Sequence, residues 1–187
     1  MTPSLRPALP ADAPAIAALH AANWRAGYRA DLAAHYLDHD VLADRQALWT
    51  QRLQAPTAPG QHLIVATHGD ALLGFACACV NEDPVWGHLL DNLHVRAETH
   101  GTGLGARLLA AVADHCAAAC GQAGLYLWVL QSNTQAQGFY TAQGATNAEP
   151  GVWDAPGGSQ VPTFRFTWQP GRLPTSGRPK PPRGAPA

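Results

Sequence analysis

Three glycines at alternate positions have the types and spacing suited to binding an anion. Gly101, Gly103 and Gly105 stand between a short apolar run and an alanine- and leucine-rich helical pattern. Glycine lets the backbone turn sharply and approach a ligand, and a helix N-terminus presents unpaired N–H groups and the positive end of its dipole. The segment is expected to hold a phosphate or pyrophosphate, although a plain glycine-rich turn is also compatible with the three glycines alone.

The elements on either side must position this turn. Apolar periodicity predicts a central strand before the glycines and a helix after them. Gly69 is expected to supply the positive φ of an earlier hairpin turn, and Asp12 to cap the first helix. Predicted strands cover 4–9, 62–67, 71–80, 88–95, 125–130, 145–149 and 161–168, and predicted helices cover 12–28, 32–54, 103–120 and 133–143. The order β-α-α-β-β-β-α-β-α-β-β indicates an α/β (α+β) fold.

A second segment, read together with the glycine turn, indicates a resemblance to a known family. Asn133 begins a short helical stretch that carries Ala136, Phe139 and Tyr140, and Gly144 ends it. This Asn-x-x-Ala-x-x-Phe-Tyr pattern and the glycine turn together resemble two motifs of the GNAT family of acyl-CoA-dependent N-acyltransferases. The element order also matches that family over residues 4–168. The resemblance implies a GNAT-like mixed central β-sheet flanked by helices.

The resemblance also implies a cofactor site for acetyl-CoA as acyl donor, without a metal. Glycine-turn amides would wrap the pyrophosphate, and the backbone near residues 93–95 would pair with the pantetheine amides. His100 stands where the family usually has Gln or Arg, which puts one side-chain contact in doubt. The implied cofactor-binding residues are Leu93, His94, Val95, His100, Gly101, Thr102, Gly103, Leu104, Gly105, Ala106, Asn133 and Tyr140.

Family chemistry implies direct attack of a free amine on the thioester. Tyr140 matches the tyrosine that protonates the leaving thiolate, and a phenol with an ordinary pKa of about 10 suits that role. The usual base position on the central strand is Leu89 here, which leaves Asp91 to deprotonate or bind the amine or to orient a water. His94 is expected on the opposite strand face from Asp91, as a core histidine.

The first two helices are expected to bind the acceptor, because they carry an unusual aromatic and polar face. Trp24, Tyr28 and Trp49 are the predicted acceptor-binding residues, with a place in the core as the alternative for each. A small-molecule primary amine is the expected acceptor. The sequence does not identify it, and it leaves the oligomeric state open, a homodimer included.

Composition and charge narrow the possible partners and location of the protein. The net charge is −1, but all the charges of residues 169–187 are basic, so residues 1–168 are net acidic. Nucleic acid is therefore not an expected partner of residues 1–168, the predicted single domain. Residues 169–187 are expected to be a Pro-rich, basic, disordered tail, and deleting 170–187 is expected to leave the fold intact. A cytoplasmic protein without membrane contact is expected, since no apolar run reaches about 18 residues.

Two other interpretations compete with an N-acyltransferase. Gly101, Gly103 and Ala106 also satisfy a dinucleotide-binding fingerprint, but the acid that should close the next strand is missing after Leu130. A non-catalytic acyl-CoA sensor with the same fold is the stronger rival, because of Leu89. The four cysteines lack zinc-site spacing and are expected to be small buried hydrophobic residues.

Overall fold

Seven strands form one mixed sheet in the computed structural model, which describes residues 3–54 and 60–177. The strands are β1 (Ser4–Pro7), β2 (Gln61–His68), β3 (Ala71–Asp83), β4 (Gly87–Val95), β5 (Leu125–Leu130), β6 (Thr146–Asp154) and β7 (Gln160–Trp168). The helices are α1 (Ala13–Gly27), α2 (Val41–Gln54), α3 (Leu104–Ala119) and α4 (Thr134–Ala142). A π-helical turn, Tyr36–Asp40, leads directly into α2. The predicted α/β class and element order are confirmed.

The sheet order is β1-β2-β3-β4-β5-β7-β6, and β4 with β5 is the parallel pair. The other neighbours are antiparallel, and short connections join three of these pairs, β2–β3, β3–β4 and β6–β7. Gly69 has φ 57° at the β2–β3 turn, which confirms the predicted hairpin. The parallel pair is the place where two strand–helix units meet side by side.

Helices cover both faces of the sheet and divide the core. Helix α3 packs against the face that presents Ala76 and Leu90, and α1 and α2 pack against the face that presents Phe75 and Cys77. This alternation along β3 is the period of two that a strand buried on both faces requires. Cys77 and Cys116 are buried and Cys79 and Cys120 half-buried, all as free thiols.

Two local predictions need correction. Asp12 does not cap α1 with its side chain; its carboxylate accepts from the Leu9 N–H at 2.7 Å and pairs with Arg6. The start of the predicted tail packs on the domain, because Leu173 is 5% exposed within the α3-side core and Ser176 bonds to Asp114. The basic residues from 178 onward lie outside the described residues.

Within the described ranges, no helix is long and apolar enough to span a membrane. The same ranges contain no cluster of three His, Cys, Asp or Glu side chains placed to hold a metal ion.

Candidate active site

A cleft opens where the two parallel strands separate. Strands β4 and β5 pair only at His88 with Leu125 and Leu89 with Tyr126, so the rest of β4 has no partner on that side. The cleft, with a volume of about 420 Å³, lies between the end of β4, the glycine turn and α4. Its walls include every residue predicted to bind the cofactor except Thr102. Unpaired strand N–H and C=O groups along this edge suit the amides of an extended ligand.

The glycine turn gives the cleft its polar end. Gly101 has φ 76° and Gly103 has φ 85°, conformations that favour glycine, and open space lies where a Cβ would stand at either position. Helix α3 begins at Leu104, so the N–H groups of its first turn lack helical partners. Thr102 differs from its prediction: its hydroxyl donates to the Thr99 carbonyl at 2.7 Å, and the residue does not line the cleft.

Helix α4 forms the other wall of the cleft. The Asn133 carboxamide oxygen accepts from the Ala136 N–H at 3.0 Å, which confirms its predicted capping role. Tyr140 lies about two turns after Asn133 and lines the cleft. Burial, with a smaller effect of the Tyr28 phenol, raises the pKa of Tyr140 above its ordinary value. The phenol therefore carries its proton at neutral pH.

A β-bulge changes which side chains of β4 lie on each face of the sheet. Cys77 pairs with Asn92 and the next β3 residue, Ala78, pairs with Leu90, so Asp91 is an extra residue in β4. The bulge interrupts the simple alternation that the sequence predicts. Asp91 and His94 consequently line one cavity, and the prediction that they lie on opposite faces is wrong.

This cavity has a volume of about 780 Å³ and lies beside the cleft described above, with His94 in the walls of both. Its walls combine aromatic rings with charged groups: Trp24, Tyr28, Trp128, Trp153, Arg45, Arg52, Asp91 and Asp154. Aromatic walls with a few polar groups are typical of small-molecule sites. Trp24 and Tyr28, predicted acceptor residues, are in the wall.

Trp49, the third predicted acceptor residue, is in the core instead. It is 0% exposed and packs at 5.1 Å against Phe75, and its indole N–H donates to Nδ1 of His20 at 3.0 Å. This burial agrees with the alternative that the sequence left open for Trp49, a place in the core on the inner face of its helix. Inner faces pack against the sheet as well as around the cavity, and periodicity does not separate the two.

Both arginines of this aromatic cavity are paired with carboxylates. Arg52 lies 2.5 Å from the Asp91 carboxylate, and Arg45 lies 2.9 Å from Asp44 while stacking on Trp24 at 4.5 Å. Asp154 accepts only from Gln160, at 3.1 Å, among the described residues. The cavity therefore has a carboxylate at its wall that is not paired with a described cation.

Trp128 and Trp153 belong to the cavity but were not predicted. Trp128 is 41% exposed, within a strand whose other residues are buried, and its ring packs against Gly151, where a Cβ would clash with it. The Arg165 guanidinium stacks on the same ring at 4.4 Å and holds it in place. An indole within a short, uniformly apolar strand was the available signal in the sequence.

His94 stands at the end of β4 between the two cavities. The Asn23 carboxamide nitrogen lies 3.4 Å from His94 Nδ1 and donates to the Val95 carbonyl at 3.1 Å. Burial and the Arg45 guanidinium lower the pKa of His94 to about 4, so the ring is neutral at pH 7. Its ring centroid is 4.5 Å from that of His20, which is fully buried.

Comparison with known families agrees with this arrangement. The model of the acetyltransferase (GNAT) family matches residues 19–145, more than half of the chain. The chain belongs to the GNAT family. The dinucleotide-binding interpretation of the three glycines is therefore set aside.

Solved GNAT structures share the fold over almost the whole chain. A GCN5-related N-acetyltransferase from Rhodopseudomonas palustris has 24% identity and a TM-score of 0.68, covering 90% of this chain and 96% of that chain. PaiA N-acetyltransferase from Thermoplasma acidophilum, in complex with coenzyme A, has 18% identity and a TM-score of 0.64 over 87% and 98%. YncA from Salmonella typhimurium, with its cofactor acetyl-CoA, has 17% identity and a TM-score of 0.65 over 97% and 100%. A search of the curated proteins finds no match.

These likenesses show that this GNAT protein has the family fold. Two of the neighbours contain coenzyme A or acetyl-CoA. The cleft of this GNAT protein is lined by a glycine turn at a helix N-terminus, which fits a pyrophosphate. Its donor groups are backbone amides, and such a site needs little positive side-chain charge.

Proposed function

We propose that this GNAT protein transfers the acetyl group of acetyl-CoA to a primary amine of a small molecule by direct attack. One observation carries the proposal: a cleft with an anion-binding turn and a separate aromatic cavity lie side by side along β4. A direct transfer needs both reactants bound together, because the nucleophile and the thioester must reach near-attack distance. A binding module would need the cleft alone.

Acetyl-CoA would occupy the cleft with its pyrophosphate at the glycine turn. Gly101, Gly103 and the first turn of α3 supply amide N–H groups there. The pantetheine would extend along the unpaired edge of β4 and continue the sheet where β5 no longer pairs. This path leads the thioester from the turn toward Tyr140 and His94.

Tyr140 would be the general acid. It lines the cofactor cleft, and burial raises the pKa of its phenol. A protonated phenol is available to the departing thiolate, which otherwise leaves as an anion. The proton is then restored from solvent.

Asp91 would act on the amine from the aromatic cavity, which is the proposed acceptor cavity. Arg52 and the Asn92 carboxamide, at 2.5 and 2.7 Å, already contact its carboxylate, so an incoming ammonium has to compete with Arg52. Binding the amine or orienting a water fits this geometry better than direct proton removal. Asp91→Asn should raise the KM for the amine more than it lowers kcat, measured across pH. A loss of kcat with unchanged KM would assign Asp91 the base role instead.

The acceptor is proposed to be an amine with an apolar or aromatic body. Trp24, Trp128 and Trp153 supply flat apolar surface, and Asp154 supplies a carboxylate for a cationic group. The two arginines of the cavity are already paired with carboxylates. An uncharged or cationic body is therefore favoured over an anionic one.

Purified protein, acetyl-CoA and a panel of amines test this function. Free thiol should appear only when an accepted amine is present, and mass spectrometry should show that amine carrying one acetyl group. Aromatic and alkyl amines should react faster than amino acids with a free carboxylate. Acetyl-CoA binding by calorimetry without turnover on any amine would contradict the transferase.

That last outcome would support the rival function, an acyl-CoA-binding sensor. Leu89 occupies the usual base position of the family, and the remaining acid, Asp91, is engaged by Arg52. A sensor should bind acetyl-CoA and change its association with a partner when it does so. Tyr140→Phe would leave a sensor's acetyl-CoA affinity unaltered, and no rate would exist to lose.

A further inference from the structure

One residue is common to both cavities. Among the residues that the structure describes, His94 alone lines the cofactor cleft as well as the acceptor cavity. The amine and the thioester carbon have to approach to about 3–3.5 Å before they react. The reacting atoms therefore meet at the boundary between the cavities, beside His94. Negative charge develops there on the thioester oxygen.

Hydrogen bonding determines which His94 nitrogen carries the proton. The Asn23 Nδ2 donates to the Val95 carbonyl, and since a carbonyl only accepts, this contact fixes the orientation of the carboxamide. The same Nδ2 faces His94 Nδ1, which must then accept. A neutral imidazole that accepts at Nδ1 carries its proton on Nε2. The ring can donate from Nε2 but has no free lone pair with which to deprotonate an amine.

The surroundings keep this ring neutral. Arg45 opposes a second positive charge in the cavity, and burial disfavours the imidazolium. His20, in ring contact at 4.5 Å, accepts at its own Nδ1 from the Trp49 indole, so it is held neutral as well. A neutral imidazole whose N–H points to a carbonyl is an effective polarising group in enzymes.

We propose that His94 is a catalytic residue whose Nε2–H donates to the thioester carbonyl oxygen of acetyl-CoA, and that Asn23 is a positioning residue that holds this tautomer. The inference rests on the proposed acetyl transfer. It supplies the carbonyl polarisation that neither Tyr140 nor Asp91 provides. Preorganised donors of this kind are among the largest contributions to acyl transfer.

The electron balance of the step is simple. The amine lone pair forms the new C–N bond, and the carbonyl π pair moves to the oxygen, where the His94 N–H stabilises it. Collapse of the tetrahedral species re-forms the carbonyl and breaks the C–S bond. The thiolate takes a proton from Tyr140, and the amine releases one to a water held near Asp91. No oxidant, reductant or metal enters the balance.

The first test reads the carbonyl directly and needs no acceptor. In the infrared spectrum, acetyl-CoA labelled with ¹³C at the carbonyl should show a lower stretching frequency when bound to the wild type than when free. In His94→Leu the bound frequency should return to the free value, and calorimetry should show that this variant still binds acetyl-CoA. His94→Gln, which keeps an N–H donor, is the matched control and should retain part of the shift. Equal frequencies in wild type and His94→Leu would overturn the proposal.

The second test follows the rate and the tautomer. With an accepted amine, His94→Leu should lower kcat by about 10²–10³-fold with little change in the KM for acetyl-CoA. Asn23→Asp replaces the donor to Nδ1 by an acceptor, so ¹⁵N NMR should show the proton moving from Nε2 to Nδ1, and kcat should fall. A wild-type kcat in His94→Leu, or an unmoved proton in Asn23→Asp, would overturn the respective role. Absence of turnover in the wild type would contradict only the proposed transferase function. The role of His94 would still be tested, since the carbonyl frequency is measured without turnover.

Discussion

Tyr140 allows the acid role to be tested with the removal of one oxygen atom. Tyr140→Phe keeps the ring that packs at 5.1 Å from Phe139 and 6.1 Å from Trp168. Because only the phenolic proton is lost, we expect kcat to fall by about 10²–10⁴-fold while acetyl-CoA affinity and the melting temperature stay close to wild type. Thiol release at saturating substrates measures the rate.

The measurement should extend over a pH range. A thiolate leaves without help more easily at high pH, so the defect should be largest at low pH. A Tyr140→Phe variant with the wild-type rate at every pH would show that another donor protonates the thiolate.

At the scale of residues, the glycine turn and the helix boundary at Asn133 were easier to predict than the surroundings of the aromatic cavity. The glycines and Asn133 are recognisable because their backbone roles fix the residue type locally. The nearness of Asp91 to His94 depends on a bulge that strand alternation cannot show. The burial of Trp49 depends on which part of a helix face meets the sheet, and that is decided by tertiary packing.

The strand–turn–helix element makes a separate prediction about the pyrophosphate. Gly103→Val places a β-branched side chain at φ 85°, which costs about 1–2 kcal/mol of stability, and directs a Cβ into the anion site. We expect acetyl-CoA affinity to fall about tenfold or more, which corresponds to about 1.4 kcal/mol. Calorimetry measures the affinity.

Gly69→Val is the matched control for this substitution. Gly69 also has positive φ and open space around its Cβ position, but it lies at the β2–β3 turn. Its variant should lose stability without losing acetyl-CoA affinity. Equal acetyl-CoA affinities in the two variants would show that the glycine turn is not part of the cofactor site.

The segment after β7 behaves as part of the domain and can be tested as such. Leu173 is 5% exposed among core residues of the α3 side, so Leu173→Ala should lower the free energy of unfolding by about 2–5 kcal/mol. Leu9, which is 55% exposed, offers a control: Leu9→Ala removes the same atoms with little effect. Equal free energies of unfolding for wild type and Leu173→Ala, measured with denaturant, would show that this segment contributes nothing to the fold.

The sequence assigned residues 169–177 to a disordered tail because composition was the available guide there. The whole predicted tail, residues 169–187, contains six prolines and no acidic residues, and this average composition is typical of disorder. A single leucine that packs into the core, as Leu173 does, does not change such an average. In contrast, strands β2 to β5 and helices α3 and α4 were predictable, because their apolar period and their glycine or asparagine boundaries agree.

At the scale of the whole molecule, the neutral histidines predict how stability depends on pH. Burial lowers the pKa of His94 to about 4, against about 6.5 in an unfolded chain. Between these values the unfolded state binds more protons, so stability is complete above pH 6.5 and falls as the pH is lowered toward 4. The loss from His94 amounts to about 3 kcal/mol, and buried His20 adds to it in the same direction.

Denaturant unfolding between pH 7.5 and 4 measures this dependence. His94→Gln cannot be protonated, so its stability should fall less steeply over the same range. Parallel curves for wild type and His94→Gln would show that His94 is not held neutral by the fold.

The separation of β4 from β5 has a consequence for the behaviour of the protein in a crowded solution. It leaves strand backbone without partners inside a sheet, and an unpaired strand edge is a template on which another extended chain can assemble. A pantetheine chain lying on that edge would cover it. In this way acetyl-CoA would protect the protein against self-association as well as serve as its acyl donor, and cofactor depletion would lower its colloidal stability together with its activity.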